Sequence, residues 1–519
     1  MEVSCLFTTS RSAAIRLFDG GKYHTLQPYQ VWINGEPYTE TNRTITSLYG
    51  LKPDTEYRIS IQQDNEPAGA ITIRTLEEAV SLDVRRFGAV GDGVHDDTAA
   101  IQTAITCCPA GGRVRIPAGR YLVTPLFLKS HITIELQQGA TLLLCTDRSC
   151  FPILPGVTFT KGEDYLLGSW EGNPLDSYAS AITGVDVEDV RIIGPGTVDG
   201  QAQLGDWWPN AKTRIGAWRP RLLFLCRCQN ITVQGVHFQN SPAWNLHPYF
   251  SDNLTFADLS ISAPANSPNT DGFDPESCRH VTVTGVHFSL GDDCIAIKSG
   301  KIYMGAKYAT PCEDIDISHC LMENGHGGVT AGSECAGGII NVRVRHCLMR
   351  NTDRGLRVKT RRGRGQNAVI DDIVFDHVDM RHVGAPFVVN CLYFCDPDGH
   401  SDYVQSRLPQ PVDHRTPRIG AITFKHVDAQ DCAACAGYFL GLPEKPIESV
   451  TLEDSAFTYA PDAKPFVPAM ADGVEECLHL GLVAHNVDHL TLRNVSITGQ
   501  QGEKLSAAQA GTICWEGEQ

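Results

Sequence analysis

The chain has 519 residues, 42% hydrophobic and 20% charged, enough for a sizeable core and, on length, for more than one domain. A net charge of −17 excludes a protein built to hold nucleic acid, because that affinity rests on a basic surface that neutralises phosphates. No run of about 18 apolar residues and no basic-then-apolar leader is visible, so no membrane partner is expected and a cytoplasmic location is the default, a secreted or periplasmic one following only if a leader was trimmed.

In chain order, residues 1–80 alternate apolar and polar in short runs such as 14–18, 30–33 and 57–61, separated by turn residues, which predicts a small antiparallel β-sandwich. Residues 48–57 resemble the corner before the penultimate strand of fibronectin type III modules, where a tyrosine ties loop to strand. The expected role of this unit is structural, covering one side of the larger domain or extending its binding surface. Around residues 96–107 the pattern is that of a helix, with Asp96 and Asp97 expected to satisfy free amides at its start. Such a helix would close the open end of a stack of repeats.

Beyond it, one type of β-rich run recurs, including residues 230–233 (Asn-Ile-Thr-Val), 253–256 (Asn-Leu-Thr-Phe), 280–283 (His-Val-Thr-Val), 314–317 (Asp-Ile-Asp-Ile) and 341–344 (Asn-Val-Arg-Val). Intervals of about 23 to 34 residues are too short for βαβ units. Residues 81–519 are therefore expected to form a right-handed parallel β-helix, making the chain all-β. Neighbouring coils would lie about 4.8 Å apart. The 19 cysteines are dispersed and read as reduced, buried thiols, with Cys294, Cys320 and Cys347 as stacked core residues. Cys432-x-x-Cys435 lacks the further ligands of a zinc site, and no metal or cofactor is expected. The Asn-x-Ser/Thr sites at Asn230, Asn253 and Asn494 fall at strand starts, where the repeat accounts for them better than glycosylation does.

Asp271, the Asp292–Asp293 pair, His326, and Arg357 with Lys359 follow successive β-runs at a similar phase, which would bring them to one face of the stack. Four coils span about 15 Å, enough for a few sugar rings. Asp292 and Asp293 are adjacent and can share a cleft only if the chain bends, for which Gly291 is suited; otherwise one would be a buried charge without an evident partner. Arg357 and Lys359, two apart, share a strand face. The cationic run from Arg354 to Arg364 suits an anionic ligand, although a solvated basic loop explains its distal arginines. Asn240, Trp244 and Glu334 are weaker candidates for the groove wall.

Asn269-Thr270-Asp271, Gly291-Asp292-Asp293, Gly325-His326-Gly327 and Arg357-Val358-Lys359 resemble, in order, the signature segments of the polygalacturonase family of glycoside hydrolases. Supporting similarity runs from about Phe87 and fades after about Asn390. The front module and the Asp353-Arg354-Gly355-Leu356-Arg357 context most resemble bacterial exo-acting members. The resemblance implies a pectin-lyase-like solenoid that hydrolyses α-1,4 bonds of galacturonate-containing oligo- or polysaccharides with inversion, from a chain end. It implies Asp292 as general acid, Asp271 and Asp293 as the couple that holds and deprotonates water, and His326 as an orienting group. Arg357, Lys359, Asn269, Arg354, Trp244 and Glu334 would bind the substrate. Rival readings are a rhamnogalacturonan- or xylogalacturonan-type hydrolase, a polysaccharide lyase, and a pectin-binding solenoid without catalysis.

Overall fold

The computed structural model describes residues 1–160 and 162–517. Strands Glu2–Thr8, Ser12–Phe18 and Ile45–Tyr49 form one antiparallel sheet, and Glu36–Arg43, His24–Ile33, Glu56–Gln63 and Glu66–Arg74 form the other. Alternation puts Ala13, Ile15 and Leu17 of one sheet against Val31, Ile59 and Ile61 of the other, giving the sandwich its own core. Tyr57 performs the expected corner contact: its hydroxyl accepts the Lys52 amide at 2.8 Å.

From Ser81 onward the chain winds into a parallel β-helix. The helix Thr98–Cys107 lays Ile101, Ala104 and Ile105 on the core of the first coils. Asp96 accepts the Thr98 amide at 2.9 Å, as expected. Asp97 does not cap the helix with its side chain; it accepts the Val90 and Gly91 amides at 2.6 and 3.0 Å and ties the preceding loop down instead. Each coil then contributes a first strand, such as Gln229–Gln234, Asp252–Ala257, Arg279–Thr284, Cys312–Ser318, Ile339–Arg345 and Val369–Asp376, in unbroken parallel register. Ile231, Leu254, Val281, Ile315, Val342 and Ile373 consequently stack as one inward column. Each such side chain contributes about 1.5–3 kcal/mol of burial. This is why irregular turn lengths do not disturb the stack. Short second strands follow, and a third set, Ile295–Ile297, Val329–Gly332, Arg354–Lys359 and Ala385–Asn390, forms the sheet that carries the site. Cys294, Cys320 and Cys347 are all buried, but only Cys320 and Cys347 are register neighbours.

Between the first and second strands each coil turns on one residue with positive φ: Gly235, Asp258, Gly285, His319, His346, His377 and His426 in succession. The sandwich packs along this column. Tyr49 covers Gly235, where a Cβ would fall 1.6 Å from the tyrosine hydroxyl. Asp258 accepts the Ser47 amide and an Arg43 guanidinium N–H, each at 3.1 Å. His319 Nδ1 lies 2.8 Å from the Lys22 carbonyl, and Phe18 meets the His319 and His346 rings edge-on.

Candidate active site

The third sheet aligns residues that enter it from successive coils. Asn245 donates its amide to the Asp271 carbonyl, Gly272 to Asp293, Cys294 to Gly327, and Gly328 to Arg354, at 2.8 to 3.0 Å. Asp271, Asp293, Gly327 and Arg354 therefore stand in one line at the strand entrances. The phase of the β-runs in the sequence sets Asp292, His326 and Arg357 at equivalent positions. Turn lengths differ from coil to coil, so Asp292 and His326 fall one residue earlier and Arg357 and Lys359 lie further along their strand.

The chain bends at Gly291–Asp292, and both aspartates reach the same cleft. Asp292 is half-buried and its Oδ1 accepts the Asp293 amide at 2.9 Å. Asp293 is buried but partnered, with Arg357 Nη1 at 3.3 Å and Lys359 Nζ at 2.9 Å. Gly327 makes that approach possible, since a Cβ there would sit 2.9 Å from Asp293 Oδ1. One oxygen from each of Asp271, Asp292 and Asp293 lies within 4.8 Å of the others.

Their environments separate the proton affinities. Burial, then the Asp292 charge, push the Asp271 carboxyl well above its ordinary value. Burial would raise Asp293 as well, but Lys359 and Arg357 outweigh it and hold that group ionised far below the usual carboxylate range. His326 Nδ1 lies 2.8 Å from Asp353 Oδ2. That bond raises the imidazole's affinity for a proton, burial opposes it, and the Asp292 charge adds to the rise.

Below the carboxylates, buried Lys298 lies 3.4 Å from both Asp274 and Glu334 and 4.6 Å above the Trp244 ring. Burial works against its charge, but Glu334, Asp274 and Asp271 reverse the effect and keep it protonated. Glu334 is pulled down to about 2: burial resists, and Lys298 and Lys301 prevail. These groups and the aspartates line a cavity of about 750 Å³. Loops bearing Glu171 and Lys212, ion-paired at 2.8 Å, wall it towards the earlier coils. Tyr393, Asp396, Phe466, Val467 and Met470 wall it towards the later ones.

Ten of the eleven residues expected from the sequence line this cavity. Three have further commitments. Asn269 accepts an Arg219 N–H at 2.8 Å through Oδ1. Trp244 is buried in a stack with Trp170 and Trp218. Arg354, read as a substrate cation, donates to the carbonyls of Pro468 and Val467 at 2.8 Å each and lies over the Phe466 ring, so it anchors the later wall. Asn240 is spent on Asp199, at 3.0 Å, and is not among the lining residues. Sequence reasoning missed Lys298, Asp353, Tyr393 and the segment 465–476. Lys298 had a signal, a lone cation ending the apolar run Cys294-Ile-Ala-Ile; the distal segment had none. No sandwich residue lines the cavity among those described, so the front module covers a side of the β-helix without extending this surface.

Residues 113–466 match Glycosyl hydrolases family 28, beyond the point where similarity was expected to fade, and residues 81–139 match the rhamnogalacturonase A/epimerase, pectate lyase-like family. A probable polygalacturonase of Vitis vinifera is 32% identical over 398 residues, covering 75% of this chain and 76% of the relative. An exo-poly-α-D-galacturonosidase of Dickeya chrysanthemi is 26% identical over 74% of this chain and 68% of its own length. The solved family 28 exopolygalacturonase of Yersinia enterocolitica superposes with a TM-score of 0.70 at 19% identity, over 99% of this chain and 98% of that one.

Proposed function

This chain belongs to glycosyl hydrolase family 28 and is a polygalacturonase-type hydrolase of pectin, and from that premise we propose that it removes galacturonate from the end of α-1,4-linked chains with inversion. The observation that carries the reading is three carboxylates within 4.8 Å, one of them held ionised by Arg357 and Lys359, at the floor of a cavity walled on two sides.

Cleavage through an oxocarbenium-like state needs a proton for the leaving oxygen and a base for the attacking water. Burial, and then the Asp292 charge, keep a proton on Asp271. Delivering it through Asp292, the most exposed of the three, leaves Asp271 and Asp293 ionised to bind and deprotonate the water. Oxygens at most 4.8 Å apart suit a water accepted by both at about 2.8 Å, with an angle of up to about 120° between the two bonds. His326, held by Asp353, positions the acid or the sugar beside it. Arg357 and Lys359 keep donors free beyond those given to Asp293 and face a uronate carboxylate; Tyr393 lies about 6 Å from both.

The spacing also favours a second reading. In a two-acid site, carboxyls about 5–5.5 Å apart go with retention and about 6.5–9.5 Å with inversion. Against a covalent step, the carboxylate a nucleophile would require here, Asp293, is buried and clamped by two cations, which weakens its attack. The walls support end action. A groove walled towards earlier and later coils leaves less room for a chain running through it than an open one does. The test is the product profile on polygalacturonate over time: monogalacturonate from the first minutes supports end action, a ladder of oligomers refutes it, and a product absorbing in the ultraviolet would indicate a lyase.

A further inference from the structure

We propose that Asp376, His377 and His426 form a second, non-catalytic site that binds a divalent first-row transition metal of the zinc type. The site lies on the column of positive-φ turns, where the sandwich stops covering it. Phe18 reaches His346 but goes no further, and the next two turn residues, His377 and His426, are left half-exposed. Asp376 pairs with Lys425 in the parallel register, so His377 and His426 occupy equivalent positions on neighbouring coils, with ring centroids 4.3 Å apart.

Both imidazoles direct the same nitrogen at the same oxygen. His377 Nδ1 lies 2.7 Å and His426 Nδ1 2.8 Å from Asp376 Oδ1, and one donor atom from each residue falls within 4.8 Å of the others. Two imidazoles and one carboxylate are a common donor set for zinc with open positions left for water or ligand. A tetrahedral ion with bonds of about 2.0–2.1 Å separates its ligand atoms by about 3.3 Å. Opening the two His–Asp376 pairs from 2.7 and 2.8 Å to that spacing needs side-chain movement of roughly half an ångström, which half-exposed groups can make.

A supporting partner is present for one ring. A metal-bound imidazole is usually oriented by an acceptor at its other nitrogen. Asp454, the turn residue of the next coil, has Oδ2 3.7 Å from His426 Nε2 and is itself held by an Asn494 side-chain N–H at 2.8 Å. The other carboxylate cluster of this kind, Asp271, Asp292 and Asp293, belongs to the active site and is separate. An ion at Asp376 would tie together two coils whose connecting segment supplies Tyr393 and Asp396 to the cavity wall.

The test is calorimetric titration of Zn²⁺ into the full chain after its accessible thiols have been alkylated, because exposed cysteines such as Cys5 and Cys107 would also take zinc. One equivalent is expected to bind. His377→Ala and His426→Ala should each weaken it at least tenfold, Asp454→Asn by about tenfold, while Asp292→Asn leaves it unchanged. Added Zn²⁺ should raise the melting temperature of the native chain and not of the two histidine variants, whose melting without metal should match the native chain. No saturable binding, binding that survives both histidine substitutions, or binding lost in Asp292→Asn would each overturn the proposal.

Discussion

Replacing Lys359 by Met removes the nearer of two cations from a buried carboxylate and keeps the volume. At 2.9 Å and an effective dielectric of about 20, the Lys359–Asp293 attraction is about 6 kcal/mol before desolvation is subtracted. Breaking such a pair costs about 3–5 kcal/mol, and the lower end applies here because Arg357 remains at 3.3 Å. Spread over the roughly 440 residues of the β-helix, with about 2.1 cal/mol/K of unfolding entropy each, 3 kcal/mol lowers the melting temperature by about 3 °C at pH 7.5. The pH dependence fixes the cause. In the native chain Asp293 has a depressed affinity for protons, so its contribution is complete above the unfolded value of about 3.9 and is lost only as pH falls through the lower folded value. Without Lys359, burial pushes that value up, and protonation in mildly acidic solution relieves the stranded charge. The stability deficit should therefore shrink as pH falls from 7.5 to 4.5. Turnover of galacturonate oligomers should fall at least 10²-fold, since the base of the water-activating couple and a substrate cation are both disturbed. Thermal melts of native and variant protein at both pH values are the assay. A deficit equal at pH 4.5 and 7.5 would refute the view that Lys359 exists to keep Asp293 ionised.

Asp292→Asn should lower kcat by about 10²–10⁴ in a reducing-sugar assay, with an unchanged melting curve. Asp353→Asn removes the acceptor that raises the His326 proton affinity, so the basic limb of the kcat/KM profile should move to lower pH with the acidic limb in place; an unmoved basic limb would remove the imidazolium from the account.

The stack was legible because its signal is local. Runs such as Asn230-Ile-Thr-Val and Asn253-Leu-Thr-Phe alternate with the period of a strand and recur with the period of a coil, and the register they imply is the one observed. The residues that gather at the site were legible for the same reason, helped by resemblance in the four segments. Which residue stands directly beside which was not, because that depends on turn lengths: Asp293, not Asp292, shares the line of Asp271. The partner of a charge was also hidden. The sequence offered a stranded buried acid as the unfavourable alternative for the Asp292–Asp293 pair; Asp293 is buried, and the cations assigned to the substrate are what neutralise it. The wall contacts of Arg354 were hidden as well, because its acceptors, the carbonyls of Val467 and Pro468, lie more than a hundred residues away on a segment without repeat signal.

The measurement that bears most directly on the carboxylate arrangement is proton NMR of the first product released from an α-linked galacturonate oligomer, recorded before mutarotation. Water held between Asp271 and Asp293 and driven onto the anomeric carbon opposite the leaving oxygen gives the β anomer. An α anomer would mean that a carboxylate, not water, attacks first, and would contradict the account.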